Sequence, residues 1–170
     1  AANRDYKWVG PNYIVRADET PNDQYFRAQW HYSQIRLPEA WDVTRGDPEV
    51  LVAVIDTGVH DHADLIRNVD YDLGYDFVSS VFSSGDGNGI DSDARDPGDS
   101  PIILFTNYDS HGTHVAGTIG AATDNRIGLA GVNWDVTIMP VRVLDINGNG
   151  TCHDINQGLR WAGGLQNDSG

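Results

Sequence analysis

The feature that most limits what this chain can fold into is the unbroken apolar run Val50-Leu51-Val52-Ala53-Val54-Ile55, closed by Asp56-Thr57-Gly58. A β-branched run without polar alternation predicts a strand buried on both faces, the situation of a parallel sheet covered by helices. Thr137–Leu144 (TIMPVRVL) is a second run of this kind. Between the two, His111–Ala122 (HGTHVAGTIGAA) is small and weakly apolar and suits a tightly packed helix. Asp145–Gly150 reads as a turn, and Asp154–Leu165 carries Ile155, Leu159, Trp161 and Ala162 at helical spacing. Strand, helix, strand, helix predicts right-handed βαβ units in a three-layer α/β fold. Upstream, a short helix is expected at Leu37–Thr44, with Pro38 in its first turn and Trp41 facing inward. Residues 1–29 are polar and broken by Pro11 and Pro21, and no internal repeat is present.

Composition narrows the partners. Eleven Lys and Arg against 25 Asp and Glu leave a formal charge of −14 over 170 residues. That balance argues against nucleic acid and anionic membrane, which demand clustered basic residues. No apolar run approaches the ~18 residues of a membrane-spanning helix. Apolar residues make up 39% of the chain and include five Trp, enough for a core rather than a disordered chain. Cys152 is the only cysteine, so an internal disulfide is impossible. Ala1–Asp5 lacks the apolar stretch of a signal peptide, and any targeting segment is expected to have been removed.

Four readings compete for Asp56–Asp64. Asp-Thr-Gly after an apolar strand is the aspartic-protease signature, but two carboxylates must share one proton there and the chain has one copy. His60-x-His62-x-Asp64 is similar to the zinc-ligand run of metallo-β-lactamase-type hydrolases, with Leu65 standing where the closing histidine belongs. A third reading makes these solvated loop residues. The fourth joins Asp56 to His111: an Asp at the C-terminal end of a parallel strand lies where α/β ligands bind. A histidine opening a helix with Gly112, Ala116, Gly117 and Gly120 can come close to that edge. A carboxylate that fixes an imidazole's tautomer and stabilises its cation makes it a general base able to activate a hydroxyl. His114, one turn on, is expected as a hydrogen-bonded core histidine.

Val52-Ala53-Val54-Ile55-Asp56-Thr57-Gly58-Val59 and His111-Gly112-Thr113-His114-Val115-Ala116-Gly117-Thr118 resemble the Asp and His motifs of subtilisin-like serine proteases. The resemblance extends to Tyr32-Ser33-Gln34-Ile35, Ala40-Trp41, Asn125-x-x-Gly128-x-Ala130-Gly131 and Val141-Arg142-Val143-Leu144. Thr20-Pro21-Asn22-Asp23-x-Tyr25-Phe26 resembles the mature N-terminus of thermitase-type members. It implies a parallel-sheet fold of three layers, incomplete in this chain, with Asp56 orienting the general base His111 in a serine endopeptidase. It also implies that Gly148, Asn149 and Gly150 pair with a substrate backbone as an added strand. Asp145-x-Asn147-x-Asn149-Gly150 imitates the start of an EF-hand loop, but Asn156 stands where the twelfth-position acid is required.

The family's nucleophile run, Gly-Thr-Ser-x-(Ala/Ser)-x-Pro, is absent from the sequence. By itself the chain is therefore expected to be inactive, with the serine on a C-terminal part present as a second polypeptide. A cut after Gly170 is the expected origin, given the Gly- and Asn-rich end 163–170, and a recombinant fragment is the alternative. A non-catalytic, calcium-stabilised peptide-binding fragment or pseudoprotease, and a zinc hydrolase using His60, His62 and Asp64, are the competing functions. Residues 1–18 are expected to be a propeptide remnant or an extended N-terminus, since Tyr6–Tyr13 resembles the strand that closes subtilase propeptides, and 19–170 the N-terminal part of the peptidase domain. Calcium is the implied structural ion. Asp23 and Asp64 match family calcium positions, with Ala63 in place of the usual proline, and Asp86, Asp91, Asp93, Asp96 and Asp99 form an acidic Gly-rich stretch suited to a hard cation. Secretion, and protein or peptide substrates, complete the expectation.

Overall fold

A computed structural model of the chain describes residue 10, residues 20–98 and residues 110–169. The expected propeptide remnant or extension at 1–18 (Gly10 apart), Asp99 and the cut after Gly170 fall outside the described residues.

Among the described residues the fold is built on three parallel strands: β1 (Gly46–Asp56), β2 (Tyr75–Asp76) and β3 (Asp135–Arg142), in the order β1-β3-β2. Five α-helices among the described residues accompany them: α1 (Trp30–Gln34), α2 (Leu37–Trp41), α3 (Val81–Ser84), α4 (His111–Gly120) and α5 (Cys152–Ala162). Strand alternation sorts the core into two sides. Val52 and Val54 of β1 join Val136 and Ile138 of β3 in packing against Val115, Ala116 and Ile119 of α4. The alternate residues Ala53, Ile55, Met139 and Val141 pack with Ile155, Trp161 and Ala162 of α5. Helices α4 and α5 therefore cover opposite faces, and the expected three-layer α/β arrangement is present.

The burial expected of the first strand holds only in part. From Gly46 to Leu51 the strand is exposed, with Val50 at 53% and Leu51 at 48%, and burial begins at Val52. Two causes combine: β1 is an edge strand among the described residues, and the helices cover only its C-terminal half. The strand also starts earlier than its apolar run. Gly46 makes this possible, at φ +110°, where a Cβ would lie 2.1 Å from the Asp135 carbonyl oxygen.

Helix ends follow local chemistry. Thr151 caps α5, its hydroxyl accepting from the Asp154 N–H at 3.0 Å, so the helix starts two residues before the predicted Asp154. It stops before Gly163-Gly164. Helix α2 ends at Trp41 rather than Thr44, as Val43 and Thr44 both donate to the Ala40 carbonyl in a closing turn. Trp41 faces inward as expected, in a cluster with Tyr32, Leu37, Ala130 and Trp134, and its Nε1 donates to the Val132 carbonyl at 2.8 Å.

Candidate active site

Asp56 ends β1, is 8% exposed, and is in register with Arg142 on β3. The Thr57 N–H donates to its Oδ1 at 2.7 Å. His111 opens α4, and what lets the helix start so close to β1 is Gly112. A Cβ there would lie 2.2 Å from the Gly58 carbonyl oxygen and 3.1 Å from the Asp56 Cβ. With the helix seated, His111 Nδ1 lies 2.9 Å from Asp56 Oδ1 and 2.8 Å from Oδ2. A carboxylate only accepts, so Nδ1 carries the proton and Nε2 is the basic nitrogen. The imidazole is 66% exposed while the carboxylate is shielded, the arrangement in which a carboxylate can orient a base that works at the surface. The juxtaposition of Asp56 with His111, 55 residues apart, follows the expectation from their motifs.

His114 departs from expectation. It is exposed, because the outer face of α4 is uncovered among the described residues. With His62, Leu65, Gly117, Ala121 and Leu129 it lines a concave, mostly apolar surface of about 500 Å³ that runs on from His111.

The zinc arrangement is not assembled. His62 Nδ1 accepts from the Asp64 N–H at 3.1 Å, while the Asp64 carboxylate turns to the loop after α4. Among the described residues no three His, Cys, Asp or Glu side chains are grouped to hold a metal. That also corrects the acidic stretch, whose carboxylates are given separate tasks. Asp86 pairs with Arg142; Asp91 accepts from Asn88 and from the Asp93 N–H; Asp93 binds Arg95; Asp96 is buried against Thr57.

Asp23 and Asp64 do converge on one loop. Asp23 accepts from the N–H groups of Asp124 and Asn125 at 2.9 and 3.4 Å, and Asp64 accepts from Asn125 Nδ2 at 2.8 Å and the Leu129 N–H at 2.9 Å. Both are buried, at 6% and 4% exposed. Burial pushes the Asp23 carboxyl up, backbone N–H bonds oppose this, and the Asp64 charge adds to it. The two buried carboxylates are oxygen donors of the kind calcium takes, while Asn125 turns its amide nitrogen to Asp64 and its Oδ1 to the Ile127 N–H at 2.7 Å.

Gly148, Asn149 and Gly150 form an exposed turn before α5. Asp145 holds it: its Oδ1 accepts the N–H groups of Asn147 and Asn149 at 2.9 and 3.0 Å, which accounts for the EF-hand-like pattern without a metal. Partial burial works against the charge, but the bonds from Asn149 and Asn147 win and hold this carboxyl below its usual range.

Arg142 carries a role the sequence did not expose. It is fully buried, its Nη1 lies 2.6 Å from Asp76 Oδ2, and it also reaches Asp86 and the Ser84 carbonyl. An arginine inside an apolar strand pattern was the available signal, since such a charge is buried only with partners.

The architecture and the dyad define an α/β protein that sets a carboxylate-oriented histidine at the C-terminal edge of a parallel strand. A match to the Subtilase family spans residues 47–169. The chain belongs to the subtilase family. It is 40% identical to an extracellular protease of Xanthomonas campestris pv. campestris, over 96% of this chain and 30% of that protein. Thermitase of Thermoactinomyces vulgaris is 36% identical, over 84% of this chain and 43% of that protein. Among solved structures, a protease of Pseudoalteromonas arctica PAMC 21717 superposes with a TM-score of 0.78 at 46% identity, over 88% of this chain and 46% of the other. The chain thus spans less than half the length of these relatives.

Proposed function

We propose that this chain supplies the acid and base of a serine endopeptidase, with Asp56 orienting His111 and the nucleophilic serine carried by another part of the same protease. The observation that carries this is the contact of His111 Nδ1 with both Asp56 oxygens, at 2.9 and 2.8 Å. His111 takes the proton of the serine hydroxyl at Nε2 as the hydroxyl attacks a peptide carbonyl, and returns it to the leaving amine. Asp56 holds the ring in the tautomer that allows this and stabilises the cation. Gly148, Asn149 and Gly150, on the turn held by Asp145, offer backbone groups to the substrate peptide as an added strand. Residues 19–170 form the N-terminal part of the peptidase domain and 1–18 a propeptide remnant or extension. Secretion is supported by relatives named as extracellular proteases. Asp23 and Asp64 would hold calcium, which supplies a cation that relieves their mutual repulsion and ties Asp23 to the loop after α4.

Labelling of the full-length enzyme with a fluorophosphonate serine probe, with and without His111→Ala, tests the reading. Wild type labels and cleaves peptides, and the variant loses on the order of 10⁶-fold in turnover. Unlabelled wild type would leave a peptide-binding pseudoprotease. Intact mass under denaturing conditions separates a two-chain enzyme from a single polypeptide.

A further inference from the structure

Beside the dyad lies a second set of buried polar groups that never touches the imidazole. Thr57 is 4% exposed and Asp96 5%. The Thr57 hydroxyl donates to Asp96 Oδ2 at 2.9 Å, and its oxygen accepts from the Gly112 N–H at 3.1 Å. Thr57 directly follows Asp56, and Gly112 directly follows His111. One hydroxyl therefore ties the residue after the acid to the residue after the base.

The direction of that tie depends on Asp96. A hydroxyl has one proton and can turn it either way, but a carboxylate only accepts. With Asp96 in place the proton is drawn toward it, and the lone pairs are left for the Gly112 N–H. Asp96 is itself anchored, its Oδ1 accepting from the Gly98 N–H at 2.9 Å. Its loop lies flush against the end of β1, where a Cβ on Gly58 would be 2.8 Å from the Ala94 carbonyl oxygen and the Asp96 nitrogen.

We propose that Thr57 and Asp96 are positioning residues for the Asp56–His111 pair, clamping the end of β1 to the first turn of α4. The proposal rests on the protease reading above. Neither group touches substrate or reacting atoms; both act by keeping the imidazole at bonding distance from its carboxylate, where small displacements are costly.

The test uses the full-length enzyme as Thr57→Val, Thr57→Ser, Asp96→Ala and Asp96→Asn variants, with active sites counted by fluorophosphonate titration. Thr57→Val and Asp96→Ala lower kcat by about tenfold or more while KM stays within about twofold. The low-field proton resonance of His111 Nδ1–H broadens or disappears in both. Thr57→Ser, which keeps the hydroxyl, returns kcat to within about threefold of wild type, and Asp96→Asn, which keeps an acceptor, falls between. If Asp96→Ala does not fold, Thr57→Val, of similar shape and unchanged charge, carries the test. Wild-type kcat and an intact resonance in Thr57→Val, or activity lost only in proportion to the unfolded fraction, overturns the proposal. A wild type that neither labels nor cleaves overturns the protease reading instead, and the resonance still reports whether the clamp orders the pair.

Discussion

Asp76 and Arg142 form an ion pair at 2.6 Å with side chains 0% and 1% exposed. The pair stitches β3 to β2, on which Asp76 is the register partner of Arg142, and through Asp86 and the Ser84 carbonyl it reaches α3. Breaking a buried pair leaves an uncompensated charge in the interior, a loss of about 3–5 kcal/mol. Above about pH 7, where Asp76 is ionised, Arg142→Ala should lower unfolding stability by that order in urea titration. A change below about 1 kcal/mol would mean that water reaches the abandoned carboxylates.

The same pair should leave a mark on pH dependence. Burial pushes Asp76 from its ordinary 3.8 to about 7, against the Val78 N–H and Arg142, and the neighbouring Asp86 charge adds to the rise. Arg142 serves two carboxylates, and the more deeply buried one is the easier to protonate; Asp86 moves the other way, below its usual range. Between pH 3.8 and about 7 the folded chain keeps a proton at Asp76 that the unfolded chain has released. Unfolding then releases a proton, so this group's contribution to stability falls as pH rises through that window and levels off above it. Urea midpoints measured from pH 4 to 8 should show this slope in wild type and lose it in Asp76→Asn. Parallel curves for the two proteins would contradict it.

At Gly112 a methyl group has nowhere to go, with the Gly58 carbonyl oxygen at 2.2 Å from the position it would take. Gly112→Ala must push α4 off β1, with an overpacking cost of about 1–3 kcal/mol. Because His111 is the adjacent residue, peptidase activity of the full-length enzyme should fall further than stability does. Gly117→Ala is the control: nothing lies within 4 Å of a Cβ there among the described residues. Equal effects in thermal melts of the two variants would remove the steric explanation.

Calcium removal should lower the melting temperature of wild type, because Asp23 and Asp64 would lose the cation that balances them. Asp23→Asn should melt lower in calcium and respond little to a chelator. Equal melting of wild type with and without chelator would remove calcium from the proposal.

Much of the site was legible because Asp56 and His111 sit in long local patterns: an apolar strand that must end at the ligand edge, and a helix of small residues able to approach it. Helix α5 was readable from its spacing for the same reason. What escaped depends on contacts distant in sequence. Strand β2 is two residues long, too short for any period, and is a strand only because Val141 and Arg142 lie beside it. The acidic stretch read as a cation loop because composition does not tell a shared ligand from a private partner; Arg142, Arg95 and Thr57 each claim one of its carboxylates. His114 and the start of β1 were expected inside on the strength of their apolar neighbours, but burial also depends on what covers a face.

The missing side chain at Gly112 also acts as a proofreading device. If α4 settled one turn out of place along β1, Val115 or Ala116 would be presented to the Gly58 carbonyl, and either would collide where glycine just fits. A register one turn out of place is thus penalised by a backbone collision that the native register avoids. The geometry on which proton transfer depends is fixed in part by what the Gly58 carbonyl leaves room for.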